Sequence, residues 1–206
     1  MKAYIKKIAY YLPEMVEENP PNRLRKKTGI FHRHICGTKE IASDLAIKAV
    51  EKIFANGIDK SKVEMLLLCT QSPDYFLPTT ACILQHKLGL KKSCGAMDYN
   101  LGCSGYIYGL SLAKGMIESG QVNNVLLVTT ETYSKYINEK DHSVKPLFGD
   151  GATATFVEAV DTDIPGLDGF VFGTDGSGFE NLIVPAGGMV HPYGTVNVEE
   201  EADEYG

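Results

Sequence analysis

Apolar positions along the chain fall into two alternating patterns. From Ile41 onward, Ala42, Leu45, Ala46, Ala49, Val50 and Ile53 recur at helical spacing, and Gly57 suits the residue just past the end of such a helix. Residues 63–69 follow as a run of strand length, apolar on both faces, as expected of a strand buried inside a parallel sheet. The alternation then repeats. Residues 79–88 predict a helix with Pro78 near its first turn and Gly89 past its end, and residues 95–99 predict a short strand. Residues 103–119 predict a helix stopped by Gly120, and residues 125–130 a second buried strand. At the start, residues 3–12 predict a strand ended by Pro13, whereas residues 14–39, broken by Pro20, Pro21 and Gly29, predict mostly loop. Residues 133–146 are polar and predict loop, residues 152–157 a strand entered through Gly149-Asp150-Gly151, and residues 169–172 one more strand. Strands alternating with helices describe an α/β fold with a largely parallel sheet.

The predicted helix at 103–119 stands apart. Tyr106, Ile107, Leu110, Leu112, Met116 and Ile117 cover several of its faces, Gly105, Gly109 and Gly115 lie among them, and only Lys114 and Glu118 carry charge. A helix apolar nearly all round is a buried one, and its glycines let neighbours come close. It belongs at the centre of something larger than an ordinary three-layer sheet.

Composition narrows the class. The 206 residues are 44% hydrophobic and 22% charged, enough for a real core. A formal charge of −6, from 20 basic and 26 acidic residues, argues against a nucleic-acid footprint, which would show clustered Lys and Arg. No apolar run approaches the length of a membrane span. The opening Met1-Lys2-Ala3-Tyr4-Ile5-Lys6-Lys7 has no apolar signal core, so a cytoplasmic location is expected. The acidic run at 199–204 reads as a solvated face. Five cysteines in no paired pattern are expected to be reduced thiols.

One of them is placed for chemistry. In Met97-Asp98-Tyr99-Asn100-Leu101-Gly102-Cys103-Ser104-Gly105 the chain passes from strand through a tight turn into the apolar helix, with Cys103 at the helix start. Unpaired N–H groups and the positive helix end favour a thiolate there, and the same N–H groups suit an oxyanion on a sulfur-bound acyl group. From spacing alone, a nucleophile and an ordinary buried cysteine are about equally supported. Cys36, Cys69, Cys82 and Cys94 read as ordinary buried thiols. His32-Arg33-His34-Ile35-Cys36 is too closely spaced for a known metal site, and Gly149-Asp150-Gly151 leads into a strand and reads as a tight turn, not a phosphate cradle.

The segment around Cys103, with Phe148-Gly149-Asp150-Gly151-Ala152 downstream, resembles the thiolase superfamily, and most closely the β-ketoacyl-[acyl-carrier-protein] synthase III family. Tyr11-Leu12-Pro13-Glu14, Thr28-Gly29-Ile30 with Arg33-His34-Ile35, and Pro78-Thr79-Thr80-Ala81-Cys82 carry the likeness in order along the chain. The resemblance implies a thiolase-like fold of two halves, each a mixed five-stranded sheet with helices on both faces, stacked in five layers around two buried helices. Residues 1–160 would form the half that carries the nucleophile, and residues 161–206 a strand and loop leading toward a second half. It implies that Cys103 takes an acyl group from a thioester, and that a malonyl-carrier protein then decarboxylates and attacks the acyl-enzyme. Coenzyme A or acyl carrier protein would be substrate, with no tightly bound cofactor and no metal, and the molecule would be a homodimer without nucleic-acid or membrane partners. Leu77, in Tyr75-Phe76-Leu77, is the candidate for limiting acyl length by reaching into a partner subunit. Arg23 and His142 stand where relatives sandwich the adenine of coenzyme A between a Trp and an Arg.

Departures from the pattern carry equal weight. The family's catalytic His and Asn lie in its second half, and His32, His34, His86, His142 and His191 match none of those motifs. The chain corresponds to roughly the first half of the usual length, which suggests a fragment, a truncated product or one piece of a split protein, with doubtful activity alone. Gln71 stands where hydroxymethylglutaryl-CoA synthases, which resemble this family, carry a catalytic Glu; a neutral amide does no general acid–base work, which favours the ketoacyl synthase side. Two alternatives remain: a non-catalytic half-synthase acting as scaffold, and a cysteine α/β-hydrolase. The hydrolase elbow wants glycine two residues before the nucleophile as well as after it; Gly105 fits and Leu101 does not.

Overall fold

The computed structural model of the protein describes residues 1–192; the acidic run at 199–204 lies outside the described residues. The elements run β1 (Lys2–Tyr11), β2 (Met15–Glu18), α1 (Arg23–Thr28), β3 (His32–Ile35), α2 (Ala42–Ala55), β4 (Met65–Cys69), α3 (Thr80–Lys87), β5 (Gly95–Tyr99), α4 (Gly105–Glu118), β6 (Asn124–Glu131) and β7 (Gly151–Val160). Five strands form one sheet in the order β1-β7-β6-β4-β5. β4 pairs in parallel with β5 and with β6, but β6–β7 and β7–β1 are antiparallel. The sheet is therefore mixed, where the strand–helix alternation alone suggests a largely parallel one. The cause lies at residues 132–150. A parallel return needs a crossover, usually a helix, and this connection holds only 3-10 turns at Tyr133–Lys135 and Lys145–Leu147.

The run of three leucines in β4 explains itself in the sheet. Leu66 and Leu68 face α2 and α3, joining Leu45, Ala49, Val50, Ile53 and Leu84. Leu67 faces the other way, joining Leu110, Ala113 and Ile117 of α4 with Val125, Leu127 and Val157. A strand buried on both faces has no polar alternation to show. Beyond α4 the chain turns through Gly120 at φ 76°, a left-handed conformation that glycine adopts without strain.

Helix α4 is buried on its sheet side only. Ile107 and Leu112 on the opposite side are 48% and 39% exposed, so among the described residues this apolar face of the helix stays uncovered. Residues 169–172 form no strand. No described strand offers them backbone partners; Phe170 packs into the α4 layer, and the Phe172 ring lies 5.0 Å from that of Tyr108. After β7 the described residues carry only a 3-10 turn at Phe179–Asn181.

Residues 14–39 are more ordered than their prolines suggest. β2 and β3 pair antiparallel, from Met15 opposite Ile35 to Glu18 opposite His32, and α1 sits between them, capped by the Asn22 side chain accepting from Arg25 N–H (2.9 Å). Buried Arg33 ties this unit together through Glu17 (2.6 Å) and Asn19 (2.8 Å). Among the described residues no helix is long and apolar enough to cross a membrane.

Candidate active site

Strand β5 delivers the chain to a tight turn at the edge of the sheet. The Gly105 N–H donates to Gly102 O (2.9 Å), and the N–H groups of Ile107 and Tyr108 donate to Ser104 O (3.0 and 3.2 Å), which starts α4. Cys103 and Ser104 thus belong to the turn, and the helix begins at Gly105, two residues later than apolar spacing suggests. Their own N–H groups make no backbone hydrogen bond among the described residues. The Cys103 thiol is exposed.

The turn is braced from beneath. The Tyr99 hydroxyl donates to Gly105 O (2.8 Å), and the Cys69 thiol donates to Leu101 O (3.0 Å). The first helical turn lies so close to the sheet that a Cβ at Gly105 would run into the Cys69 sulfur, and one at Gly109 into the Tyr99 hydroxyl. These glycines permit the approach that holds Cys103 in place.

Cys103 opens onto a cavity of about 690 Å³ between α4 and the C-terminal ends of β4 and β6. Leu101, Tyr106, Phe148 and Leu182 give it apolar walls, and Gln71, Glu131 and Tyr133 supply polar groups. The partly buried Glu131 carboxylate accepts from Gln71 N–H (2.7 Å) and Ser72 Oγ (2.6 Å), and Ser72 Oγ accepts from Thr132 N–H (2.9 Å). Burial pushes the Glu131 pKa above the usual carboxylate range, opposed by the Ser72 and Gln71 hydrogen bonds. Burial likewise raises Tyr133, with the nearby charges of Glu131 and Cys103 adding to it. Apolar patterning does not single out this wall. Its one sequence signal is an acid closing an apolar strand, Glu131 at the end of β6.

The other cysteines differ from Cys103. Cys69 lines the same cavity, but it is buried and burial raises its pKa. Cys94 is raised by burial, and Cys36 is pushed up to about 11 by burial and by Asp150. Cys82, expected to be buried, is exposed: it lies on the outward side of α3, accepting from the Thr79 hydroxyl (3.0 Å).

Of the other residues singled out in the sequence, neither Leu77 nor His142 lines this cavity. Leu77 is 85% exposed at the tip of the loop after β4, beside Tyr75 and Phe76. Exposed His142 lines a second cavity of about 270 Å³ with Asn22 and Lys145, next to Arg23 at the start of α1. Gly149-Asp150-Gly151 leads into β7 without the tight turn expected there: Gly149 and Asp150 are irregular backbone, with the Asp150 N–H donating to His34 O (2.7 Å), and Gly151 is the first residue of the strand. Asp150 is buried and faces inward, accepting from Cys36 N–H (2.8 Å) and from Ser134 N–H (2.9 Å) and Oγ (2.6 Å). His32 and His34 lie in β3, not in a loop, and among the described residues no group of His, Cys, Asp and Glu is disposed to hold a metal ion.

A mixed five-stranded sheet with helices on both faces, and a cysteine on the turn between strand and helix, defines a thiolase-like fold. A solved structure of a 3-oxoacyl-(acyl-carrier-protein) synthase III superposes on the whole chain with a TM-score of 0.96 and 48% identity, while the chain covers 64% of that structure. The family model for 3-oxoacyl-[acyl-carrier-protein (ACP)] synthase III matches residues 97–176, which contain β5, the Cys103 turn, α4, β6 and β7. The β-ketoacyl-[acyl-carrier-protein] synthase III of Sulfurovum sp. is 39% identical over 177 residues, covering 85% of this chain and 52% of that protein. The protein of the same description from Caldanaerobacter subterraneus subsp. tengcongensis is 37% identical over 200 residues, covering 92% of this chain and 60% of that protein. The chain belongs to the 3-oxoacyl-[acyl-carrier-protein] synthase III family, and it spans about half the length of the curated relatives it matches. Neither the hydrolase nor the scaffold reading is favoured by these likenesses.

Proposed function

We propose that the Cys103 cavity is an acyl-thioester site and that its residues carry the acyl-loading half of a 3-oxoacyl-[acyl-carrier-protein] synthase reaction in the cytoplasm. The observation that carries this reading is the contrast within one cavity: Cys103 is exposed on a braced turn ahead of α4, whereas Cys69 is buried and kept protonated. In the first step the Cys103 thiolate attacks the thioester carbonyl. The oxyanion gathers hydrogen bonds from N–H groups of the turn, then collapses, breaking the bond to the donor sulfur. The donor leaves as a thiolate and takes up a proton, and the acyl group remains on Cys103. In the second step a malonyl-carrier protein loses carbon dioxide, and its carbanion attacks the acyl carbonyl and releases the cysteine.

No histidine is among the described residues lining the cavity, and its one carboxyl, Glu131, is committed to Gln71 and Ser72. We therefore assign these residues the first step and place the groups for decarboxylation elsewhere, in a second half beyond the nucleophile-bearing unit of residues 1–160. The donor is coenzyme A or acyl carrier protein, with no tightly bound cofactor. The second cavity, lined by Asn22, Lys145 and His142, is a place for the donor's distal part, and exposed Leu77 fits a role in a partner subunit of a homodimer, where it would limit acyl length.

Intact-mass analysis after mixing the chain with acetyl-CoA tests the reading. A single acetyl adduct that maps to Cys103 and disappears in Cys103→Ala is expected. An adduct on exposed Cys82, or none, overturns it; rapid release of acetate would point to the hydrolase.

A further inference from the structure

Most polar side chains facing the Cys103 cavity are satisfied within its wall. Cys69 donates to Leu101 O (3.0 Å), Tyr106 pairs with Thr155 (3.2 Å), Thr129 with Thr153 (2.7 Å), and Thr130 donates to Ala42 O (2.8 Å). Glu131 holds Gln71 N–H and Ser72. The carboxamide of Gln71 is different: it makes no hydrogen bond to any described residue. The Tyr10 and Tyr133 hydroxyls are also uncommitted, but of the three Gln71 is the one that packs against Gly102, the residue before the nucleophile. A Cβ on Gly102 would stand 2.9 Å from the Gln71 Oε1.

The group is also held in place. Its N–H donates to Glu131 (2.7 Å), and its carbonyl accepts from the Tyr136 hydroxyl (3.2 Å), so the backbone is pinned on both sides. A carboxamide offers two N–H donors and one carbonyl acceptor, the complement of a hydroxyl or a ketone and not of a hydrocarbon chain. An unmet amide in a partly enclosed, largely apolar cavity penalises a ligand that fails to satisfy it. Its contact with Gly102 puts that complement within the first few carbons of an acyl group on Cys103.

Resting on the acyl-thioester reading above, we propose that the Gln71 carboxamide is a specificity determinant that hydrogen-bonds an oxygen near C3 of the acyl chain. The site then selects short 3-hydroxyacyl or 3-oxoacyl thioesters over saturated ones of equal length. Glu131 and Tyr136 act through Gln71 as positioning residues.

The test is competition between the N-acetylcysteamine thioesters of 3-hydroxybutanoate and butanoate, with the two Cys103 adducts counted by mass. Each rate is normalised to that thioester's reaction with glutathione. A preference of about fivefold for the 3-hydroxy chain is expected, the size of one net hydrogen bond. In Gln71→Leu the ratio within the variant falls to about one. Equal normalised rates in the unmodified chain overturn the inference without any variant, and so does a Gln71→Leu protein that keeps the preference. An acylated Cys103 with no preference leaves the acyl-enzyme reading standing; no adduct with either thioester overturns both.

Discussion

Two glycines six residues apart on α4 should respond to alanine with opposite signs. At Gly109 a methyl group would fall onto the Tyr99 hydroxyl, with its Cβ 2.5 Å from Leu127 Cδ1 and 3.0 Å from Cδ2. Leu127 is fully buried, so the helix has to lift or the leucine leave its rotamer. Overpacking of this kind costs about 1–3 kcal/mol. Displacing Tyr99 also weakens its hydrogen bond to Gly105 O (2.8 Å), a further ~1 kcal/mol. Alanine returns ~1 kcal/mol of helix propensity. The net is a destabilisation of about 1–3 kcal/mol. At Gly115 nothing lies within 4 Å of an added Cβ, so only the propensity gain remains and Gly115→Ala should stabilise by about 0.8–1 kcal/mol. Urea unfolding, read as midpoint shifts at constant slope, separates the two. Displacement of Tyr99 also loosens the turn, so Gly109→Ala should change the rate of Cys103 alkylation and Gly115→Ala should not. Stabilisation by Gly109→Ala would refute the argument that close approach of α4 to β5 and β6 sets the glycine at 109.

Glu131→Gln should change the pH dependence of stability in one direction. The folded carboxyl is raised by burial, so stability falls as pH rises from the unfolded pKa, about 4.3, through the higher folded value. The variant lacks that slope, and the wild-type advantage over it should shrink as pH rises above about 4 in urea melts; a constant gap would contradict the burial. Asp98 accepts from the N–H groups of Thr80 (2.6 Å) and Ala81 (2.5 Å) at the start of α3. Asp98→Ala should cost about 2 kcal/mol and strip hydrogen-exchange protection from those two amides, with Asp98→Asn recovering part of the loss; unchanged protection would deny Asp98 its capping role.

The sheet and its helices were legible where a periodic pattern coincides with burial. Leu66, Leu67 and Leu68 announce a strand covered on both faces, and Gly57 and Gly120 mark the ends of α2 and α4. The region from Met15 to Ile35 was not legible, because its order is non-local and polar. β2 and β3 meet across an intervening helix, and the buried member that joins them is Arg33, held by Glu17 and Asn19 and not by an apolar stripe. Antiparallel pairing of β6 with β7 was hidden for a similar reason: whether a connection crosses over depends on what its residues do after the strand, and polar residues 133–146 resemble any loop. The exposure of Ile107 and Leu112 shows the limit of the composition argument, since an apolar face states a preference for cover without supplying it.

The same distinction divides the candidate site. The placement of Cys103 is a property of consecutive residues: a strand, a turn at Gly102-Cys103-Ser104, and a glycine-bearing helix, all readable in one stretch of chain. The wall opposite it comes from three separate places, the ends of β4 and β6 and the loop before β7, and only the sheet register brings Gln71, Glu131 and Phe148 together. In that register Cys69 stands opposite both Tyr99 and Thr129, so the residues just past each strand end converge. There Glu131 reaches across to the backbone of Gln71 and the hydroxyl of Ser72. A nucleophile can thus be found from local order, whereas the groups that choose what it reacts with depend on non-neighbouring strands. Substitutions at Gln71 or Glu131 should accordingly redirect the site while leaving the turn that presents Cys103 intact.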